Sequence, residues 1–163
     1  MFLAIALVLP FLTGQLQSFG AMLCPMHLPV LLCGFICGAR YGAAVGATAP
    51  ILRFALFGMP KLWSAIPMSF ELCFYGLCAG LLYKLLPKKG IYKYVALVSA
   101  MLAGRAVWGI VSAVLAGLGK TSFGLEAFWL GAFAGSVPGI ILQVILVPVV
   151  VLALKRAKLM LNE

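Results

Sequence analysis

Residues 68–86 read MSFELCFYGLCAGLLYKLL, a run of nineteen residues whose only charged side chains are Glu71 and Lys84. About twenty mostly apolar residues suffice for a helix to cross the hydrocarbon core of a bilayer. Similar runs recur along the 163-residue chain, which is 65% hydrophobic and only 9% charged. A soluble domain carries roughly a quarter charged residues. The sequence therefore predicts an all-α integral membrane protein, and the long continuous runs argue against an alternating β-barrel pattern.

The apolar runs divide the chain into six predicted spans and leave no segment for a separate soluble domain. Polar or proline-containing connections such as TGQLQSFG, GMPKLWSAIP and PKKG separate them. The first span is short for a full crossing, since twelve residues rise only about 18 Å against a core of about 30 Å. We expect one compact six-helix transmembrane domain over 1–163, with spans at about 1–12, 25–38, 41–57, 68–86, 94–118 and 127–154.

The net charge of +9 follows this predicted topology. Basic residues accumulate in the cytoplasmic loops of membrane proteins. With the N-terminus inside, only Lys61 and Lys120 fall on the outer side, so the bias predicts cytoplasmic N- and C-termini and gives no indication of nucleic acid binding. The basic residues on the cytoplasmic side are then Arg40, Lys84, Lys88, Lys89, Lys93, Lys155, Arg156 and Lys158.

Small residues recur at helical spacing along several spans. Such ladders of glycine let helix backbones approach closely, so we expect them to pack helices together. The ladders are Gly34, Gly38, Gly42 and Gly46; Gly76 and Gly80; and Gly131, Gly135 and Gly139.

Arg53, Glu71 and Arg105 place charge inside predicted spans. An ionisable side chain there costs a few kcal/mol or more, so it normally faces a cavity or a partner. Arg53 and Glu71 each lie about one turn from the predicted outer surface, and Arg105 lies near the middle of the fifth span. An Arg53–Glu71 ion pair would pin spans three and four. A ligand pocket would instead use Glu71 to accept hydrogen bonds from a hydroxyl, amine or ring N–H. Both can hold together.

Aromatic and polar residues accompany these charges. Tyr75 follows Glu71 by four residues and Trp108 follows Arg105 by three, so each pair shares a helix face. His27 stands at the outer start of the second span. The candidate substrate-binding residues are Gln15, His27, Arg53, Glu71, Tyr75, Arg105, Trp108 and Gln143.

Other function classes find less support. Cys24, Met26 and His27 suggest a transition-metal permease, but Cys33 and Cys37 lie two or more turns deeper, and one tetrahedral site cannot easily use both groups. The chain has no Asp and no catalytic motif, and GLGKTS at 117–122 lacks the spacing of a phosphate-binding loop. We expect neither an enzyme nor a cofactor or metal site. A ligand-free structural membrane subunit remains the other alternative.

Four runs resemble the substrate-binding S component of energy-coupling factor (ECF) vitamin transporters. They are LPFLTGQLQSFGAMLCPMHLPVLLCGFICG at 9–38, APILRFALFGMPKLWSAIPMSFELCFYGL at 49–77, GRAVWGIVSAVLAGLGKTSF at 104–123 and LGAFAGSVPGIILQVILVPVVVLAL at 130–154. The resemblance covers nearly the whole chain. It implies six helices, no enzymatic activity, a bacterial cell membrane, and an outward-opening pocket for a vitamin or precursor such as pantothenate or a hydroxylated pyridine or pyrimidine. Arg53 and Arg105 would then suit a carboxylate or phosphate.

The resemblance also implies partners and moving loops. S components dock on a shared transmembrane subunit and two cytoplasmic ATPases that supply the energy. Many carry A-x-x-x-A in helix one for docking; Ala4 matches its second alanine, the first would fall before Met1, and Ala6 is a further small candidate. The loops after helices one and three would close the pocket. Their candidate lid residues are Gln17, Met59, Lys61 and Trp63.

Overall fold

All regular secondary structure in the described part of the protein is α-helical. The computed structural model describes residues 1–14, 25–58, 60–86, 90–119, 124, 128–130 and 137–157. The predicted all-α class is confirmed. The main helices within these residues are α1 (Phe2–Gly14), α2 (His27–Cys37), α3 (Ala39–Phe57), α4 (Leu62–Leu85), α5 (Gly90–Gly117) and α6 (Val137–Arg156).

Helices α4, α5 and α6 are long and apolar enough to cross a membrane, over Leu62–Leu85, Ile91–Gly117 and Val137–Arg156. Shorter apolar helices cover Phe2–Phe11 and His27–Cys37. The helix lengths thus support a multi-pass membrane protein, while six complete crossings stay a prediction.

Helix α4 lies at the centre of the bundle, in contact with α2, α3 and α5. It begins at Leu62. The prediction that GMPKLWSAIP at 58–67 is a loop is therefore wrong for residues 62–67, which are helical. The Lys61 carbonyl accepts the first turn's hydrogen bonds from the N–H groups of Ser64 and Ala65, at 2.8 and 2.9 Å. Pro67 lacks an N–H and costs the helix one hydrogen bond. It is buried, and its packing offsets that loss.

A single glycine separates α2 from α3. Gly38 has φ +100°, a conformation that side chains other than glycine rarely adopt. Its N–H donates to the Gly34 carbonyl at 3.1 Å and its own carbonyl accepts from Gly42 N–H at 3.0 Å. One backbone group at each of the two helix ends is therefore paired through Gly38 although the helical path breaks at that residue.

Glycines bring α2, α3 and α4 into backbone contact. A Cβ added at Gly46, Gly76 or Gly80 would collide with the backbone of a neighbouring helix. One at Gly34 or Gly42 would lie 2.5 or 2.8 Å from the Gly76 carbonyl oxygen. The predicted packing role of these two ladders is confirmed. The absence of side chains at these glycines lets α2 and α3 pack directly against the backbone of α4.

The outward faces of the helices are apolar. Ile110 on α5 is 65% exposed and Ile145 on α6 is 61% exposed. Of the third predicted glycine ladder only Gly139 lies in the described residues, and it is buried. Large apolar side chains covering whole helix faces fit contact with lipid rather than water.

Candidate functional site

One buried carboxylate joins three helices. Glu71 on α4 is 2% exposed, and its Oε1 lies 3.1 Å from Nη1 of Arg105 on α5. The same oxygen lies 3.3 Å from Nε2 of His27, the first residue of α2. We call Glu71, His27 and Arg105 the polar cluster. It is enclosed by the bundle, because all three side chains are buried.

The neighbouring sequence explains how the cluster forms. Gly104 precedes Arg105, and a Cβ there would lie 3.1 Å from the Glu71 backbone oxygen and 3.2 Å from the Tyr75 ring. A side chain at this position would hold α5 away from α4. Glycine therefore lets the guanidinium of Arg105 reach the carboxylate across a short gap.

Tyr75 supports the cluster from one turn further along α4. Its side chain is fully buried, and its ring meets the His27 imidazole edge-on, with centroids 5.1 Å apart and planes at 69°. Such a T-shaped contact is a favourable aromatic geometry. It fixes the plane of the imidazole, so His27 presents one nitrogen to Glu71 and the other away from it.

Arg53 does not pair with Glu71, and that hypothesis is wrong. Its Nη1 donates to the backbone oxygen of Leu7 at 3.3 Å, and its guanidinium lies over the Phe11 ring at 5.3 Å. Phe11 in turn meets Phe57 edge-on, at 4.7 Å between centroids. Arg53 thus joins α3 to α1. Similar predicted depth did not bring the two charges together because their side chains leave α3 and α4 in different directions.

Two deeply buried atoms, one in the polar cluster and one on α6, lack a hydrogen-bond partner among the described residues. Within the described part of the chain, His27 Nδ1 and Gln143 Oε1 have no hydrogen-bond partner, and each residue is 2% exposed. Gln143 lies on α6, which packs against α2. More than about nine in ten buried polar groups are satisfied in native structures. These atoms therefore indicate where another molecule's polar groups fit.

The contacts within the polar cluster are close but not aligned as ideal hydrogen bonds. His27 Nε2 and Glu71 Oε1 lack hydrogen-bond geometry despite their 3.3 Å separation. We treat the contact as electrostatic, since attraction between charges and dipoles needs less directionality than a hydrogen bond. A carboxylate held this way retains capacity to accept from a ligand donor.

An aromatic group extends from the same face of α5. Trp108 follows Arg105 by three residues and stacks on Phe128, with centroids 6.2 Å apart and planes at 24°. Phe128 also meets Trp129 at 71°. A Cβ at Gly109 would lie 2.5 Å from Phe128 Cε2, so glycine makes room for the ring. Phe128 and Gly109 were not among the predicted site residues; the only sequence signal is an aromatic pair opening the last span.

Only some of the remaining predicted site and lid residues lie in the part of the chain that the structure describes. Gln15, Gln17 and Met59 lie outside the described residues. Lys61 is exposed just before α4, and Trp63, 40% exposed, lies in the first turn of α4 rather than in a loop.

The two alanines considered for partner docking differ in position. Ala4 is exposed on α1, whereas Ala6 is fully buried in the core. Ala6 therefore offers no surface to a partner in this conformation.

Metal ligands do not gather in the described residues. No three His, Cys, Asp or Glu side chains there come together as a metal site requires. Cys24, part of the group considered for a metal permease, lies outside those residues.

The helix lengths and the buried polar site define a small helical membrane protein with a candidate ligand site. A family model described as "ECF transporter, substrate-specific component" matches residues 1–151. The chain belongs to this family, and it is a substrate-binding subunit of an ECF transporter. The resemblance seen in the sequence is thereby confirmed. No curated protein and no solved structure matches the chain.

Proposed function

We propose that the protein captures a vitamin or vitamin precursor from outside the cell and delivers it with ATP-driven partner subunits. The observation that carries this proposal is the buried carboxylate of Glu71, held by His27 and Arg105 beside buried acceptors that have no partner. The carboxylate and the buried acceptors would recognise hydrogen-bond donors on the substrate. The energy would come from a shared transmembrane subunit and two cytoplasmic ATPases, as the family implies.

A binding role accounts for the polar cluster better than a purely structural one. A buried ion pair is often no more stabilising than well-packed apolar residues of similar volume. If Glu71 and Arg105 served only to pin α4 to α5, the buried acceptors on His27 and Gln143 would add cost without benefit. A ligand that donates to those atoms removes the cost.

The proposed site extends beyond the cluster. Tyr75 orients His27, and Trp108 supplies an aromatic wall one turn beyond Arg105. Gln15 and Arg53 would be further ligand contacts, and Gln17, Met59, Lys61 and Trp63 would belong to the segments that close over the ligand. Ala4 is the exposed candidate for docking on the shared subunit.

The same proposal includes the protein's place in the cell. The bias of basic residues favours a multi-pass protein of the bacterial cell membrane with cytoplasmic N- and C-termini. Cysteine labelling of engineered sites at both termini in intact cells tests this orientation. Labelling by an impermeant reagent would contradict it.

Mass spectrometry of the small molecule released from the purified protein tests the proposed function. We expect a stoichiometric compound from the wild-type protein and its loss from Glu71→Ala and Arg105→Ala variants. Thr48→Ala is a matched control, because that side chain is exposed and bonds only within its own helix. Wild-type retention by both cluster variants would disprove the site.

The two alternative functions give different results in the same experiment. A ligand-free structural subunit would release nothing and show no change in melting temperature with any small molecule. A metal permease would release a stoichiometric Ni²⁺, Co²⁺ or Cu⁺ signal instead of an organic compound.

A further inference from the structure

The charges of the polar cluster balance internally. Glu71 carries one negative charge and Arg105 one positive charge, and they lie 3.1 Å apart in a buried setting. Uncompensated charge is expensive there. Arg53, the other cation inside a span, is engaged with the Leu7 carbonyl and the Phe11 ring. At the polar cluster, the charge of Arg105 is therefore already compensated by Glu71 and does not call for a carboxylate or phosphate on a ligand.

The contact with Glu71 orients the two ring nitrogens of His27. Its Nε2 faces the Glu71 carboxylate oxygen at 3.3 Å, so this nitrogen carries the proton; a lone pair there would be repelled. Arg105 already compensates the carboxylate. A second cation would leave buried charge without a partner. The ring nitrogen that points away from Glu71, Nδ1, is then the one with a lone pair that can accept a hydrogen bond.

Gln143 supplies a second acceptor. Its Oε1 is buried and, within the described residues, has no hydrogen-bond partner. An amide oxygen accepts hydrogen bonds and cannot donate one. Nδ1 of His27 on α2 and Oε1 of Gln143 on α6 are thus two acceptors without a hydrogen-bond partner in the described residues.

We infer that the ligand is an uncharged molecule that donates at least two O–H or N–H hydrogen bonds, one to His27 Nδ1 and one to Gln143 Oε1. This inference rests on the proposed function and narrows its substrate class. It departs from the sequence expectation of a carboxylate or phosphate, because Arg105, the arginine at the polar cluster, is already paired with Glu71.

Matched compounds and one variant test the inference on the full-length protein in detergent. The probes are pyridoxine, which is uncharged overall and rich in hydroxyls, 4-deoxypyridoxine, which lacks one hydroxyl, and 4-pyridoxic acid, which carries a carboxylate. Pantothenol and pantothenate form a second pair that differs by an alcohol against a carboxylate. Binding is measured by calorimetry and by the shift in melting temperature.

In at least one series we expect the uncharged, hydroxyl-rich compound to bind about tenfold or more tightly than its anionic partner. Gln143→Leu should weaken that binding by about tenfold, the cost of one lost hydrogen bond. The same variant, without ligand, should melt no lower than wild type, because it removes a buried acceptor without a partner. A purely structural glutamine would instead lower the melting temperature when replaced.

Other results overturn the inference. Tighter binding of 4-pyridoxic acid or pantothenate than of the uncharged partner would show that the site takes an anion. A Gln143→Leu protein that melts lower, or that binds the best probe unchanged, would remove Gln143 from the site. If no uncharged probe binds while the purified protein still releases a small molecule, this ligand class is wrong and the proposed function stands. If nothing is released and no probe binds, both fail.

Discussion

Arg105 Nη1 lies 3.1 Å from Glu71 Oε1, while Arg53 donates to the Leu7 carbonyl on α1. The two arginines inside the predicted spans therefore make different contacts, and only Arg105, which was not predicted as the partner, pairs with Glu71. Arg105 links α5 to α4 at the candidate site, and Arg53 links α3 to α1. The contact between α4 and α5 at the polar cluster and the contact between α3 and α1 are consequently separate targets for mutation.

Glu71→Gln should destabilise the protein by about 3–5 kcal/mol, the cost of leaving a buried Arg105 without its counterion. Arg105→Gln should cost a similar amount for the converse reason. The double variant should cost clearly less than the sum, because it buries no unpaired charge, with a coupling of about 1–3 kcal/mol. Denaturant unfolding of the four proteins gives this coupling. Additive losses would mean that the two side chains do not interact in the folded protein.

How much of this site the sequence could predict depends on what each residue reveals by itself. Glu71 is conspicuous because a carboxylate inside an apolar run is costly. His27, Arg105 and Gln143 are conspicuous for similar reasons. Their mutual contacts are not, since apolar patterning gives approximate depth along a helix but not the direction in which each helix faces its neighbours. This is why Arg53 was a plausible partner for Glu71 and is not one.

For the fold, too, the sequence predicts the class of structure but not the contacts between helices. The all-α class follows from composition and from the length of the apolar runs. Trp63 lies in α4 although Pro67, which lacks an N–H, follows within the same helix. A proline near the start of a helix is tolerated better than one in its middle, so the two prolines overstated the length of the loop. Phe128 and Gly109 form a contact only across the fold. A single glycine in a glycine-rich chain gives no sequence signal of the ring that fills its space.

Gly76→Ala should destabilise the bundle, because its Cβ would collide with the backbone of Gly42 on α3. Overpacking of this kind costs about 1–3 kcal/mol. Gly117→Ala is the matched control, since nothing lies within 4 Å of a Cβ at that position at the end of α5. There the better helix propensity of alanine should leave stability equal or up to about 1 kcal/mol higher. Thermal melting of both variants compares them directly, and equal losses would contradict the close packing of α3 on α4.

Arg53→Met should weaken the attachment of α1 to α3 by about 1 kcal/mol, through the lost hydrogen bond to Leu7 and the lost contact with the Phe11 ring. Phe11→Leu should remove part of the same interaction, so the two losses should not add. Unfolding of the single and double variants measures the coupling. Full additivity would show that the guanidinium and the ring act independently.

Gly109→Ala should disturb the aromatic wall beside the site, because a Cβ at this position would lie 2.5 Å from Phe128 Cε2. Either the ring or the helix must move, and the stack of Phe128 on Trp108 should open. We expect a changed tryptophan emission, measured in a background where Trp63 and Trp129 are replaced by Phe so that Trp108 reports alone. In a Phe128→Ala protein the space is already free, so adding Gly109→Ala should change neither emission nor melting temperature. An equal effect of Gly109→Ala with and without the Phe128 ring would show that this glycine serves α5 itself and not the wall.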